Sequence, residues 1–227
     1  MNNQIIVRHG GLDAIEFVSE DPKALTVVCL HGYGADMRDL APLAPEIPVE
    51  KPVRWLFPDG PEVLDWGGRA WFPIDVASFE EAQRTGKPRD LTGGEPEGMA
   101  ESRHQLQAFI AELGVPWDRL VLMGFSQGAM MAVDAALRAP QAPGGVVILS
   151  GTFVDEKTVL KLAPKRAGVS FFQSHGSVDP ILGFQAALKL EEALKAAGWN
   201  GALRRFEGGH GIPPELLPEL GAWLSER

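Results

Sequence analysis

Cysteine is almost missing from this 227-residue chain: Cys29 stands alone, inside the apolar run Thr26-Val27-Val28-Cys29-Leu30. A single cysteine excludes an intrachain disulfide and a multi-cysteine metal site, and its neighbours mark it as core. Positive charge is also scarce, with 21 Lys and Arg against 30 Asp and Glu and a formal net charge of -9. Such a chain carries no overall positive field to attract a polyanion, so no nucleic-acid partner is expected. Long hydrophobic runs are lacking as well. No window approaches the ~18 apolar residues of a membrane span, and Met1 to Gly10 holds no apolar segment behind basic residues. The expectation is a soluble, cytoplasmic protein without integral membrane association.

What is present is a chain that is 45% hydrophobic, enough for one sizeable core. Short apolar or β-branched runs recur at 4–8, 14–18, 25–30, 53–57, 120–123, 145–149, 169–173 and 202–206, and read as strands. Those at 25–30, 120–123 and 146–149 are apolar almost throughout, as parallel strands covered on both faces should be. Leu106, Phe109, Ile110 and Leu113 fall at i, i+3, i+4 and i+7, the spacing of a core-facing helix. Further helices are indicated at 126–138, 181–197 and 213–225, the last opened by Pro213 and Pro214. After about residue 100 the pattern is βαβα. It predicts an α/β fold: a mostly parallel twisted sheet with helices on both faces, and the two opening strands as an antiparallel edge. Ligands of such sheets bind beyond the carboxyl ends of the strands.

One stretch departs from this pattern. Residues 78–98 are rich in charge, glycine and proline, and read as a polar loop excursion within a single domain over 1–227.

Leu120 to Met123 is followed by Gly124-Phe125-Ser126-Gln127-Gly128 and then by a helix rich in small residues. A serine between strand and helix sits in a sharp turn, and glycines two positions to either side remove Cβ atoms that would collide across it. Its hydroxyl needs a neighbouring base, itself oriented by a third group. Of five histidines, His104 lies on a helix and His9 in a turn, both facing solvent. His31 and His175 each follow an apolar strand and read as loop braces. His210, in Gly208-Gly209-His210-Gly211 between the final strand and helix, is the expected base; the three glycines suggest a special backbone conformation. Asp179, in the loop leaving the strand at 169–173, is the expected orienting acid, with Glu207 and Asp155 as competitors. Backbone N–H groups should receive a developing oxyanion. Gln127 supplies one, and Tyr33 in Leu30-His31-Gly32-Tyr33-Gly34-Ala35-Asp36 the other. Trp66, Trp71, Phe72, Ile181 and Phe184 are candidate walls of an apolar substrate site.

Four blocks, 30–36, 124–128, 175–180 and 208–211, with Arg69-Ala70-Trp71-Phe72 as a fifth, resemble the phospholipase/carboxylesterase family that includes the acyl-protein thioesterases. The resemblance spans roughly residues 24–224. It implies the α/β-hydrolase fold, whose triads run Ser, Asp, His along the chain. It also implies a serine hydrolase cleaving carboxylic esters or thioesters without cofactor or metal. Ser126, Asp179 and His210 match the family's triad, and Tyr33 and Gln127 its oxyanion positions. Departures fall on the substrate side: Pro73 where Asp is common, Tyr33 where Leu is common, and a longer excursion at 78–98. Short to medium acyl chains are therefore expected, on a small-molecule ester or thioester, with the protein a monomer or homodimer.

Two other readings make different demands. A metal-dependent hydrolase would use His31, Asp36, His175, Asp179 and His210 as ligands, but leaves Gly-x-Ser-x-Gly without a purpose. A non-catalytic ligand-binding module on the same fold would leave the whole Ser, Asp, His set idle.

Overall fold

The computed structural model describes residues 4–227. In chain order its elements are β1 (Gln4–His9), β2 (Leu12–Phe17), β3 (Leu25–Leu30), α1 (Leu43–Glu46), β4 (Val53–Pro58), β5 (Glu62–Val63), β6 (Arg69–Ala70), α2 (Val76–Thr85) and α3 (Met99–Leu113). They continue with β7 (Leu120–Phe125), α4 (Gln127–Arg138), β8 (Gly145–Leu149), α5 (Glu156–Leu162), β9 (Ser170–Gly176), α6 (Phe184–Ala196), β10 (Asn200–Phe206) and α7 (Leu217–Ser225). Eight strands form one sheet in the order β1-β2-β4-β3-β7-β8-β9-β10, and β5 and β6 pair as a separate small hairpin. β1, β2 and β4 are joined antiparallel, and every pairing from β4 through β10 is parallel. The expected parallel sheet with an antiparallel edge is what forms.

The period of two along the strands divides the core into two layers. Val28, Leu30, Leu122, Val146 and Ile148 face α3, α4 and α6. Their neighbours Val27, Cys29, Val121, Met123 and Val147 face α1 and α7. Cys29 is buried in this second layer, and burial pushes its thiol well above the ordinary range, so it stays protonated and unreactive. Helix α4 is enclosed: every residue from Gln127 to Leu137 is buried.

The structure revises the 78–98 excursion. Its first part belongs to α2, a helix whose N-cap Asp75 accepts from the Ser78 N–H and whose C-cap Gly86 is left-handed. The remainder is a loop fastened at two places. Arg89 N–H donates to Ile181 O (3.3 Å), and the carbonyls of Leu91 and Thr92 accept from Asp155 and Glu156 N–H (both 3.1 Å).

Where the loop returns to α3, Arg103 bonds both Glu95 and Asp134, and Arg138 Nε donates to Asp134 Oδ1 (2.8 Å). Arg103 and Asp134 are both buried. Removing one member of such a set strands the others in a medium that solvates them poorly. Asp134→Ala is accordingly expected to lower stability by about 3 kcal/mol, read from the midpoint of urea unfolding.

Candidate active site

β3, β7 and β9 lie next to or near one another and run the same way, so the segments after Leu30, Phe125 and Gly176 emerge at one edge of the sheet. The β7 segment carries Ser126, with φ 55° and ψ -117°, a conformation costly for a residue with a Cβ. The turn is possible because its flanks are bare. A Cβ on Gly124 would lie 2.2 Å from Gly128 O, and one on Gly128 would lie 2.0 Å from Leu30 O. Ser126 N–H is anchored to Leu149 O (2.9 Å).

His210 reaches Ser126 from the loop after β10. Ser126 Oγ donates to His210 Nε2 at 2.8 Å, and His210 Nδ1–H donates to Asp179 Oδ2 at 2.7 Å. A carboxylate oxygen only accepts, so the proton sits on Nδ1 and Nε2 is left free to accept. Phe125 packs against the imidazole with ring centroids 5.0 Å apart, and Ser150 Oγ–H holds the next residue by donating to Gly211 O (2.9 Å). None of Gly208, Gly209 and Gly211 has a positive φ, so the special conformation expected of these glycines does not form. The close approach falls on the other partner: a Cβ on Gly176 would lie 2.1 Å from Gly209 O.

The Asp179 side chain is completely buried. Its Oδ1 accepts from the N–H groups of Ile181 (2.8 Å) and Leu182 (3.0 Å). Its Oδ2 accepts from His210 and lies 3.1 Å from His175 Nε2. Burial alone would raise this carboxyl's pKa. The contact with His175 and the hydrogen bonds from His210 and Leu182 outweigh it and hold Asp179 well below the usual carboxylate range, hence ionised. Sequence spacing marked His175 as a loop brace, and it does bond the Leu182 carbonyl. Its contact with Asp179 had no sequence signal beyond the i, i+4 spacing. The competing acids lie elsewhere: Asp155 caps α5, and Glu207 pairs with Arg205 at the surface.

His31 is buried with both nitrogens engaged. Nε2 accepts from Gly60 N–H (2.8 Å) and Nδ1–H donates to Gly32 O (2.7 Å), while burial lowers its pKa and keeps it neutral. It braces the loop carrying Tyr33, which is further tied to β6 through Gly34 N–H to Arg69 O and Arg69 N–H to Ala35 O (both 2.8 Å). Gln127 opens α4, so its N–H has no acceptor one turn earlier in the helix. The Gln127 side chain points the other way and clamps a neighbouring segment to the turn, Oε1 accepting from Trp71 N–H (2.8 Å) and Nε2 donating to Phe72 O (2.7 Å). Among the described residues no three His, Cys, Asp or Glu side chains converge as metal ligands, and the Asp36 carboxylate is taken by Arg38.

A cavity of about 490 Å³ opens beside Ser126, with Tyr33, Phe72, Gln127, Met130, Ile181 and Leu182 in its walls. Three expected wall residues lie outside it. Trp71 is wholly buried in the core, its indole N–H donating to His31 O (3.0 Å). Trp66 is 67% exposed and meets the edge of Tyr33. Phe184 begins α6 beyond the cavity and packs near His175. The loop 86–98 replaces them, contributing Arg89, Leu91 and Glu97.

A sheet of this order with serine, histidine and aspartate in one hydrogen-bonded line defines an α/β-hydrolase of the serine class. Residues 14–226 match the profile of the phospholipase/carboxylesterase family, and the chain belongs to that family. Acyl-protein thioesterase 1 of Candida albicans is 27% identical over 214 residues, covering 86% of this chain and 88% of that protein. Esterase PE8 superposes with a TM-score of 0.75 at 27% identity, covering 99% of this chain and 98% of that one. The Bacillus cereus carboxylesterase shares the fold, with a TM-score of 0.75 at 21% identity over 95% of this chain and 94% of that one. No helix among the described residues is long and apolar enough to cross a membrane.

Proposed function

We propose that the protein hydrolyses carboxylic esters or thioesters of small molecules through an acyl-enzyme on Ser126, with His210 as base and acid and Asp179 as its orienting carboxylate. The observation that carries this reading is the unbroken line from Ser126 Oγ to His210 Nε2 (2.8 Å) and from His210 Nδ1 to Asp179 Oδ2 (2.7 Å).

As Ser126 Oγ bonds to the substrate carbonyl carbon, its proton passes to His210 Nε2, and the imidazolium is stabilised by Asp179. The carbonyl oxygen becomes an oxyanion received by the N–H groups of Tyr33 and Gln127. The bond to the alcohol or thiol then breaks, and the leaving group takes the proton from His210. Water, deprotonated by the same imidazole, attacks the acyl-enzyme, and the proton returns to Ser126 Oγ as the acid departs. These residues supply every step, so no cofactor or metal is required.

Short to medium acyl groups are the proposed substrates, because the cavity of about 490 Å³ is bounded by charged as well as apolar side chains. The likeness to acyl-protein thioesterases supports thioesters as a second leaving-group class. We further propose a single catalytic domain acting in the cytoplasm as monomer or homodimer, a placement that suits one buried, unpaired cysteine.

Two measurements test the reading. A fluorophosphonate probe is expected to label Ser126, and kcat/KM for p-nitrophenyl esters is expected to peak between acetate and octanoate. An unlabelled protein that releases no p-nitrophenol would sink the assignment, and a maximum at palmitate would sink the chain-length reading.

A further inference from the structure

Arg89 is the one cation among the described walls of the cavity beside Ser126. It sits on the loop between α2 and α3, and its backbone is fixed by the bond from its N–H to Ile181 O. Its Nε is sealed from solvent and has no hydrogen-bond partner among the described residues. The guanidinium forms no ion pair there either, although carboxylates share the cavity. Asp75 Oδ1 is spent on the Ser78 N–H at the start of α2. Asp90 Oδ1 accepts both the N–H and the hydroxyl of Thr92. Glu97 lies at the rim.

An arginine keeps its charge, and placing it partly out of water without an acceptor costs free energy unless something else supplies one. Burial does press on this group, lowering its pKa from the ordinary guanidinium value, with the charge of Asp75 opposing. A guanidinium without a protein acceptor among the described residues, on a residue that lines the substrate cavity, suits a carboxylate.

The cavity also fixes which part of the substrate this is. Its walls include Ser126, Tyr33 and Gln127 but neither His210 nor Asp179. The leaving group must lie on the His210 side, because it takes its proton there, so the cavity on the other side receives the acyl chain.

We propose that Arg89 binds a carboxylate at the far end of the acyl group, so that the preferred substrates are half-esters or half-thioesters of dicarboxylic acids. This rests on the esterase reading above and narrows it to a substrate class.

The test compares mono-p-nitrophenyl glutarate with p-nitrophenyl valerate, two acyl groups of equal carbon count differing in the terminal carboxylate. The wild-type protein is expected to favour the glutarate by about 10-fold or more in kcat/KM, the scale of a charged hydrogen bond. Arg89→Gln is expected to bring that ratio to about one or below, chiefly through KM, and Arg89→Lys to hold it between the two, since an ammonium keeps the charge but not the fork. A wild-type preference for valerate, or an Arg89→Gln variant whose two activities fall together with the ratio unchanged, overturns the proposal while leaving the esterase reading intact. Failure of the wild-type protein to hydrolyse either ester or to take the fluorophosphonate label brings down both.

Discussion

Ser126→Ala is expected to lower kcat by about 10⁶-fold, the scale found when the nucleophile of a serine hydrolase is removed. What the change leaves behind makes the loss diagnostic. The alanine still occupies the φ 55° turn, because the bare flanks at Gly124 and Gly128 and the N–H bond to Leu149 O do not involve the hydroxyl. Unfolding should therefore stay close to wild type, and His210 keeps its bond to Asp179. The N–H groups of Tyr33 and Gln127 also remain, so a residual rate above that of water is expected. The kcat on p-nitrophenyl butyrate, normalised to protein concentration, alongside a urea unfolding curve, checks both halves. Substantial burst kinetics in the alanine variant would contradict nucleophilic catalysis by Ser126.

Asp179→Asn should cost about 10⁴-fold in kcat, for a reason that lies in the tautomer. The carboxylate accepts, so it draws the imidazole proton to Nδ1 and leaves Nε2 able to take a proton from Ser126. An amide that turns its NH₂ toward His210 reverses this, placing the proton on Nε2. Asparagine also cannot reproduce an oxygen pair that accepts from His210, Ile181 and Leu182 at once. A dependence on pH follows. The native pKa of Asp179 is depressed, so its contribution to stability is complete above the unfolded-state value near ~3.9 and is lost as pH falls from there toward the native value. The stability advantage of wild type over Asp179→Asn should be full at neutral pH and shrink below about pH 4. A gap that widens on acidification would contradict the depressed pKa.

The parts of the architecture legible in the sequence were those where one physical demand dominates. β3, β7 and β8 are apolar on both faces because helices cover both, and their runs announce this without structural help. Ser126, Asp179 and His210 stood out because each follows a strand of the same sheet in a loop, a pattern visible along the chain. α2 was missed although Val76, Phe79 and Ala82 are spaced as on one helix face: the charged residues around them and the glycine and proline that follow made the whole stretch read as loop, and the Asp75 and Gly86 caps mark its ends. α6 starts later than its pattern predicts, since the N–H groups of Ile181 and Leu182 are drawn to Asp179 before the helix begins. Aromatic residues were ambiguous for a different reason. Trp71 and Phe72 are adjacent, yet one seals the core and the other borders the cavity. Their separation depends on the side chain of Gln127, which grips the backbone of both, and no composition or spacing encodes that grip. Arg89 sat in a charged run that reads as solvated surface.

The three side chains of the proposed triad are not equally rooted. Ser126 heads an enclosed helix at the end of β7, in the middle of the sheet, whereas His210 rides on the loop leaving β10, a partly exposed strand at the sheet's margin. Marginal segments open in local fluctuations that leave the interior closed. His210 is thus expected to be the first of the three to come loose on warming, so that activity should fade before the fold as a whole gives way.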